Sequence, residues 1–297
     1  MAIVNLAAIG LVATPSEAQV ITCTSSLSDQ TVTATLVVPS GQFCQLTNVE
    51  VNGRAEVQAS ADLFLEDSRI RGSLTVFENS FVQANESRVD GMTTLTDAFG
   101  LYSTSSRFDR LIDADGGFIF SDDSTHWGGI RSENGETIVE KGVVLGSVTT
   151  TGDRLTDLFD TAVFGPVSVN GAEYGSVVCH MGAALSVTIR NSGGVIQLGF
   201  AGPVTGCGFN LMGSLGVHDN IGANIQITGN LIAGNLSCTG NDPAPFGSSN
   251  LVGGSKSGQC ASLQPAPASV ASVIQEEEAS APRADHVLTL IQQRLGS

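Results

Sequence analysis

Apolar and polar residues alternate in short runs along most of the chain, as in Ser73-Leu74-Thr75-Val76. This period-2 pattern is the signature of strands with one buried face. The runs also recur. Ser68-Arg69-Ile70-Arg71-Gly72 returns nineteen residues later as Ser87-Arg88-Val89-Asp90-Gly91, and after nineteen more as Ser106-Arg107-Phe108-Asp109-Arg110. Upstream, Asn48-Val49-Glu50-Val51-Asn52-Gly53 occupies the same phase, and glycines continue it at 128, 146 and 165, then at 182, 202 and 222. Apolar residues follow the repeat in columns: Val51, Ile70, Val89 and Phe108; Val57, Val76, Leu95 and Ala114; and Leu63, Val82, Leu101, Phe120 and Ile138.

A repeat of roughly 18–20 residues is too short for helical solenoids, and Val, Thr, Ser and Gly are poor helix formers. The spacing predicts an all-β right-handed parallel β-helix (a β-solenoid). Each lap forms two or three short strands and lies about 4.8 Å over the last. Glycine is expected at the corners, often with positive φ.

The two ends depart from the repeat. Residues 2–14 form an apolar run too short to span a bilayer, followed by Pro15 and Ser16-Glu17-Ala18. This is the outline of a secretory signal peptide over 1–18 with cleavage after Ala18. No Lys or Arg precedes the run, which leaves open a start further upstream or an edge strand of the fold. Residues 19–47 are expected to cap the solenoid, which then occupies 48–260. Residues 261–282 read as a Pro/Ala/Glu linker. Val287, Leu288, Ile291 and Leu295 recur at helical spacing in a short C-terminal α-helix within 283–297, either a cap on the domain or a partner-binding or dimerising segment.

The six cysteines, at 23, 44, 179, 207, 238 and 260, contain no CxxC spacing. Pairing of sequence neighbours gives Cys23–Cys44, Cys179–Cys207 and Cys238–Cys260, one of fifteen connectivities. The first and last pairs span close to one lap and would reinforce the solenoid ends. The middle pair needs an irregular turn. Disulfides imply an oxidising compartment, so the expected location is secreted or extracellular. No other segment has membrane-spanning length.

Of 297 residues, 35 are glycine and only 14% are charged, with 41% hydrophobic, which argues against disorder. The net charge of −16 repels a phosphate backbone and argues against nucleic-acid binding. Even so, seven of the eleven arginines lie between 54 and 131. Arg69, Arg88 and Arg107 share one outward column, so they are expected to stack as a ladder able to grip an acidic glycan or cell-envelope polymer. Asp90 and Asp109, two residues further on, offer the alternative of a self-neutralising surface network. Asp67, Glu86 and Asp123 share a corner phase, with Ser105 between the last two and Asp160 beyond. Stacked carboxylates repel unless paired or metal-bound, which makes them candidates for calcium, while solvated corners are the plainer reading.

The densest titratable segment is Ser121-Asp122-Asp123-Ser124-Thr125-His126-Trp127, followed by Arg131. Asp122, Asp123, His126 and Arg131 are candidates for acid–base chemistry, and Trp127 for stacking on a sugar ring. Alignment on Gly128 instead puts His126 in the core column of Phe108. No nucleophile elbow, zinc-protease or phosphate-loop motif is present.

In its period the chain resembles secreted right-handed parallel β-helix proteins of the pectin-lyase-like group over about residues 30–255. The runs Val37–Leu46 and Gly234–Pro245 look like the ends of bacterial exported members. A weaker likeness is to bactofilins, polymerising β-helices that are typically cytosolic. The first resemblance implies a polysaccharide lyase or hydrolase with aspartates and basic residues on an outward groove, but of the polygalacturonase motifs only the Asp122-Asp123 pair is present. The leading expectation is therefore a non-catalytic structural, adhesive or glycan-binding protein without a cofactor. Self-association through the coil ends is a further option.

Overall fold

The computed structural model describes residues 19–182, 184–200, 207–222, 224–265 and 283–295; the expected signal peptide and residues 266–282 of the expected linker lie outside them. The chain winds into a parallel β-solenoid of about 12 laps. Every strand pairing is parallel and joins residues one lap apart, as in Leu74 with Thr93 and Thr93 with Ile112. Each central lap has three faces. A long face carries five-residue strands such as Phe81–Asn85 and Phe118–Asp122, a short face two-residue strands such as Arg88–Val89, and a middle face strands such as Ile112–Asp115. Residues 19–47 already lie on the stack, since Val20 pairs with Thr35 and Leu36 with Ala55.

Two of the expected core columns stand in register: Val51–Ile70–Val89–Phe108 and Val57–Val76–Leu95–Ala114. The third slips. Leu101 pairs with Ile119, and Ile119 with Thr137, so Phe120 and Ile138 belong to the outward column of Tyr102. The cause is a lap of eighteen residues where its predecessors have nineteen.

The corners carry positive φ at glycines such as Gly116 and Gly152, as expected, and at other residue types as well. One corner column, Asp67, Glu86, Ser105, Asp123, Lys141 and Asp160, has φ between 46° and 49° throughout. A second passes through Ser60, Asn79, Asp97 and Asn134, again with positive φ. Asp and Asn tolerate the left-handed region because their short side chains bond locally. The glycines at 72, 91 and 165 answer a different need. A Cβ on Gly72 would lie 2.5 Å from the Gly53 carbonyl oxygen, and one on Gly91 2.3 Å from that of Gly72. They permit close approach of one lap to the next. Of the later glycines, Gly182 bridges to Ala162, away from the Gly165 column, and Gly202 lies outside the described residues.

Inward Val, Leu and Ile fill a continuous core from Val32 to Cys260. Its polar members form ladders. Ser68, Ser87, Ser106 and Ser124 each accept the amide of the equivalent residue one lap earlier at 3.0 Å and donate to a carbonyl two residues back. Towards the C-terminus asparagines take over: Asn210 donates to Asn230 and Asn230 to Asn250, both at 2.9 Å. Buried polar groups stay satisfied in this way as the laps accumulate.

All three neighbour pairings of cysteines are present. Cys23–Cys44 and Cys238–Cys260 are buried in the core at the two ends, where a solenoid otherwise frays. At the C-terminal end a 3-10 turn over Gln259–Ser262 carries Cys260. Cys207 lies in the extra stretch of a long lap in which Val195 pairs with Asn224, twenty-nine residues away, and its bond to Cys179 pins that stretch to the preceding lap.

The C-terminal helix α1 (Arg283–Leu295) docks on the outside of the long face. Val287 and Ile291, one helical turn apart, join Phe81, Phe118, Phe120, Ile138 and Leu155 in a second apolar cluster, with Phe64, Phe99 and Tyr102 around it. Arg294 fixes the far end by donating to Asp62 at 2.7 Å and to the Asn79 carbonyl at 2.8 Å, with its guanidinium over Phe99. The outward aromatics of the slipped column thus find their cover.

Candidate ligand groove on the short face

Arg69, Arg88 and Arg107 stand directly above one another, with Glu50 before them and Thr125 after. Like charges on successive rungs repel unless something intervenes, and here carboxylates do. Asp90 accepts from Arg69 at 2.6 Å and from Arg88 at 2.7 Å; Asp109 accepts from Arg88 and Arg107, each at 2.5 Å. Glu50 pairs with Arg71. The arrangement is a zipper of guanidinium and carboxylate groups climbing the face. Burial alone would raise Asp109, but hydrogen bonds from Arg107 and Arg88 outweigh it and hold the carboxyl below its usual range. Arg69 is raised, first by its hydrogen bond to Asp90.

Each arginine keeps more than a third of its side chain exposed. The exposed sides border a shallow groove of about 410 Å³, whose opposite wall is the corner column of Asp67, Glu86, Ser105 and Asp123. Ser105 donates to Asp123 at 3.2 Å. Donors therefore line one wall and mostly acceptors the other, repeating once per lap. Among the described residues no group of three His, Cys, Asp or Glu is placed to hold a metal ion. Lys141 continues the corner column beyond Asp123 and donates to Asp122 at 3.3 Å, which raises the lysine.

The Ser121–Arg131 segment is split between inside and outside. His126 pairs with Phe108 and Val144, is fully buried, and stacks on the Phe108 ring at 5.4 Å. Its Nε2 meets Ser121 Oγ at 2.7 Å, its Nδ1 has no hydrogen-bond partner, and burial lowers its pKa to about 4. Asp122 is half-buried and Asp123 exposed on the corner outside. Arg131 lies on the middle face, bound to Asp113, whose carboxyl that hydrogen bond lowers. The four acid–base candidates thus do not share a face, and the histidine points away from the aspartates. Trp127 stands half exposed at the end of the zipper, with the Arg107 guanidinium 4.2 Å above its ring.

Several interacting residues escaped the sequence reading. Glu50 and Arg71 belong to the zipper through a diagonal of twenty-one residues, and Lys141 neutralises a corner that lists of carboxylates miss. Asp153, wholly buried, accepts from Ser132, Gly135 and Thr137; burial raises it against those three bonds.

Among the described residues no helix is long and apolar enough to cross a membrane. No protein-family model, curated protein or solved structure matches the chain, so the parallel β-solenoid is shown and the expected likeness to pectin-lyase-like proteins and to bactofilins is not.

Proposed function

We propose that the protein is a non-catalytic, disulfide-closed solenoid that acts outside the cytoplasm in a structural or adhesive role, holding a glycan or envelope polymer along the short-face groove. The observation that carries this reading is the pairing of two unlike walls, the arginine row against the Asp67–Glu86–Asp123 corner. Sugar hydroxyls both donate and accept, and acidic sugars add carboxylates that fit a guanidinium fork. Trp127 closes the row with an exposed ring suited to stacking on a pyranose. Three disulfides favour an oxidising compartment. The Asp122–Asp123 pair has no histidine beside it on the surface, because His126 faces the core.

The test is retention of the protein on immobilised acidic and neutral glycans, with and without calcium. We expect retention without release of sugar, lost at least tenfold in Arg88→Ala/Arg107→Ala. Release of unsaturated or reducing sugars that Asp123→Ala abolishes would overturn the reading in favour of a lyase or hydrolase. Absence of retention on every glycan would leave no role for the groove.

A further inference from the structure

The edge of the long face opposite the Asp67–Asp123 corner carries a cleft of about 560 Å³. It is made by missing side chains. Phe99, Gly117, Gly135 and Arg154 stand one lap apart, each just before the paired long-face residues Gly100, Phe118, Glu136 and Leu155. A phenylalanine and an arginine thus bracket two glycines. Close approach of the laps forces the gap: a Cβ at Gly117 would lie 2.3 Å from the Ala98 carbonyl oxygen, and one at Gly135 2.5 Å from that of Gly117. Gly116, with φ of 78°, leaves the corner beside Asp97 bare as well. Phe99, Phe118 and Leu290 of α1 form the apolar side of this notch.

Each end of the notch holds a guanidinium on a carboxylate. At one end Arg294 donates to Asp62 at 2.7 Å and lies 4.7 Å over the Phe99 ring. At the other, Arg154 pairs with the buried Glu136 at 2.8 Å. Between them the Asp97 carboxylate has no ion pair or hydrogen bond among the described residues, and neither has that of Glu78 beside it. The lining as a whole sets Glu78, Asp97 and Glu136 against Arg154 alone.

We propose that the notch is a binding site for a small organic cation, an ammonium or guanidinium carried on an apolar body. The charge sits on Asp97, and the body lies against Phe99, Phe118 and Leu290. Volume and lining match small-molecule sites, which combine apolar walls with a few convergent polar groups. The same edge already accepts this chemistry from its own chain, since Arg294 joins a carboxylate and an aromatic ring one step away. The ligand supplies to Asp97 what Arg294 supplies to Asp62 and Arg154 to Glu136.

An anion in the notch meets Asp97 and Glu78 with no cation to balance them. A neutral molecule leaves the charge of Asp97 unbalanced and forgoes the charge-assisted hydrogen bond, which is roughly twice as strong as a neutral one. Leu290 belongs to α1, so a bound cation also fastens the helix, because a ligand that binds only the docked state stabilises docking.

The test is calorimetric titration of the full chain, disulfides intact and at low salt, with benzylamine and its neutral counterpart benzyl alcohol. We expect benzylamine to bind with a dissociation constant of about 1 mM, as suits a ligand of its size. Benzyl alcohol should bind about fivefold more weakly, the range of one partly exposed ion pair, and high salt should narrow the difference. Asp97→Asn, which keeps a residue type at ease with the φ of 47° there, should bring benzylamine down to the level of the alcohol. Hydrogen exchange over 287–294 should slow when benzylamine saturates the wild-type chain. Equal affinity for the two probes, no binding of either, or an Asp97→Asn variant that binds benzylamine as before overturns the proposal. So does exchange in α1 that benzylamine leaves unchanged, because the cation then binds elsewhere.

Discussion

A Cβ at Gly72 would meet the backbone carbonyl of Gly53 at 2.5 Å, and backbone on both sides leaves no flexible side chain to yield. Gly72→Ala should therefore cost about 1–3 kcal/mol, as overpacking does, visible as a lowered denaturant midpoint. His126 makes a second prediction. Its folded pKa of about 4 lies below the 6.5 of an unfolded histidine, so between those values the unfolded chain binds more protons. Stability falls as pH drops from 6.5 towards 4, by at most about 3 kcal/mol, and is fully present above 6.5. His126→Phe with Ser121→Ala, which extends the Phe108 stack and leaves no orphan hydroxyl, should flatten that part of the pH–stability curve. Urea titrations at pH 4.5 and 7 check this.

Residues also show where the sequence was opaque. The His126 core position follows from strict phase, whereas φ > 0 at Glu86 or Lys141 carries no signal in the residue type. Glycine does mark corners with positive φ, as at Gly116 and Gly152, but Gly72 and Gly91 serve close approach of laps instead, and the residue type alone does not separate the two uses.

At the scale of elements, strands were legible wherever lap length held constant, and illegible by one residue where it changed. A period-2 column inverts on a single-residue slip, and that is why Phe120 and Ile138 looked like core. Their true position explains α1: an outward aromatic column on the long face needs cover, and an amphipathic helix supplies it. The helix contributes two fully enclosed side chains, Val287 and Ile291, and the Arg294 clamp, a small interface on a stable platform. Ile291→Ala with Arg294→Ala should release it locally. Hydrogen exchange would show protection lost over 287–294 and retained in Phe118–Asp122 beneath, since local opening of one unit leaves the rest intact. The spacing Val287–Ile291 announced the helix; its docking face was hidden by the slip.

The whole molecule follows from a single geometric rule, that residues one lap apart are vertical neighbours. That rule makes a neutralised zipper out of arginines nineteen residues apart, a two-walled groove out of two columns, and a stack of Leu211, Leu231 and Leu251 out of leucines that look isolated in the sequence. Stability in such a stack is a sum of neighbour terms with weak ends, and both ends are closed by disulfides inside the core. The arginine ladder and its neutralisation by Asp90 and Asp109 were legible, but the diagonal bonds Arg69–Asp90 and Arg88–Asp109 depend on side-chain direction, which period alone does not encode.

The rule is open to a direct distance measurement. Thr75, Thr94, Asp113, Arg131, Thr149 and Ser168 occupy successive rungs of one outward column on the middle face. Electron–electron spin resonance between nitroxide amino acids at Thr75 and Ser168 should give a narrow distribution near 24 Å, five rungs at ~4.8 Å, shortening by one rung when the first label moves to Thr94. A distance far from that value, or one that does not shorten with the label, would contradict the stacking and everything placed upon it.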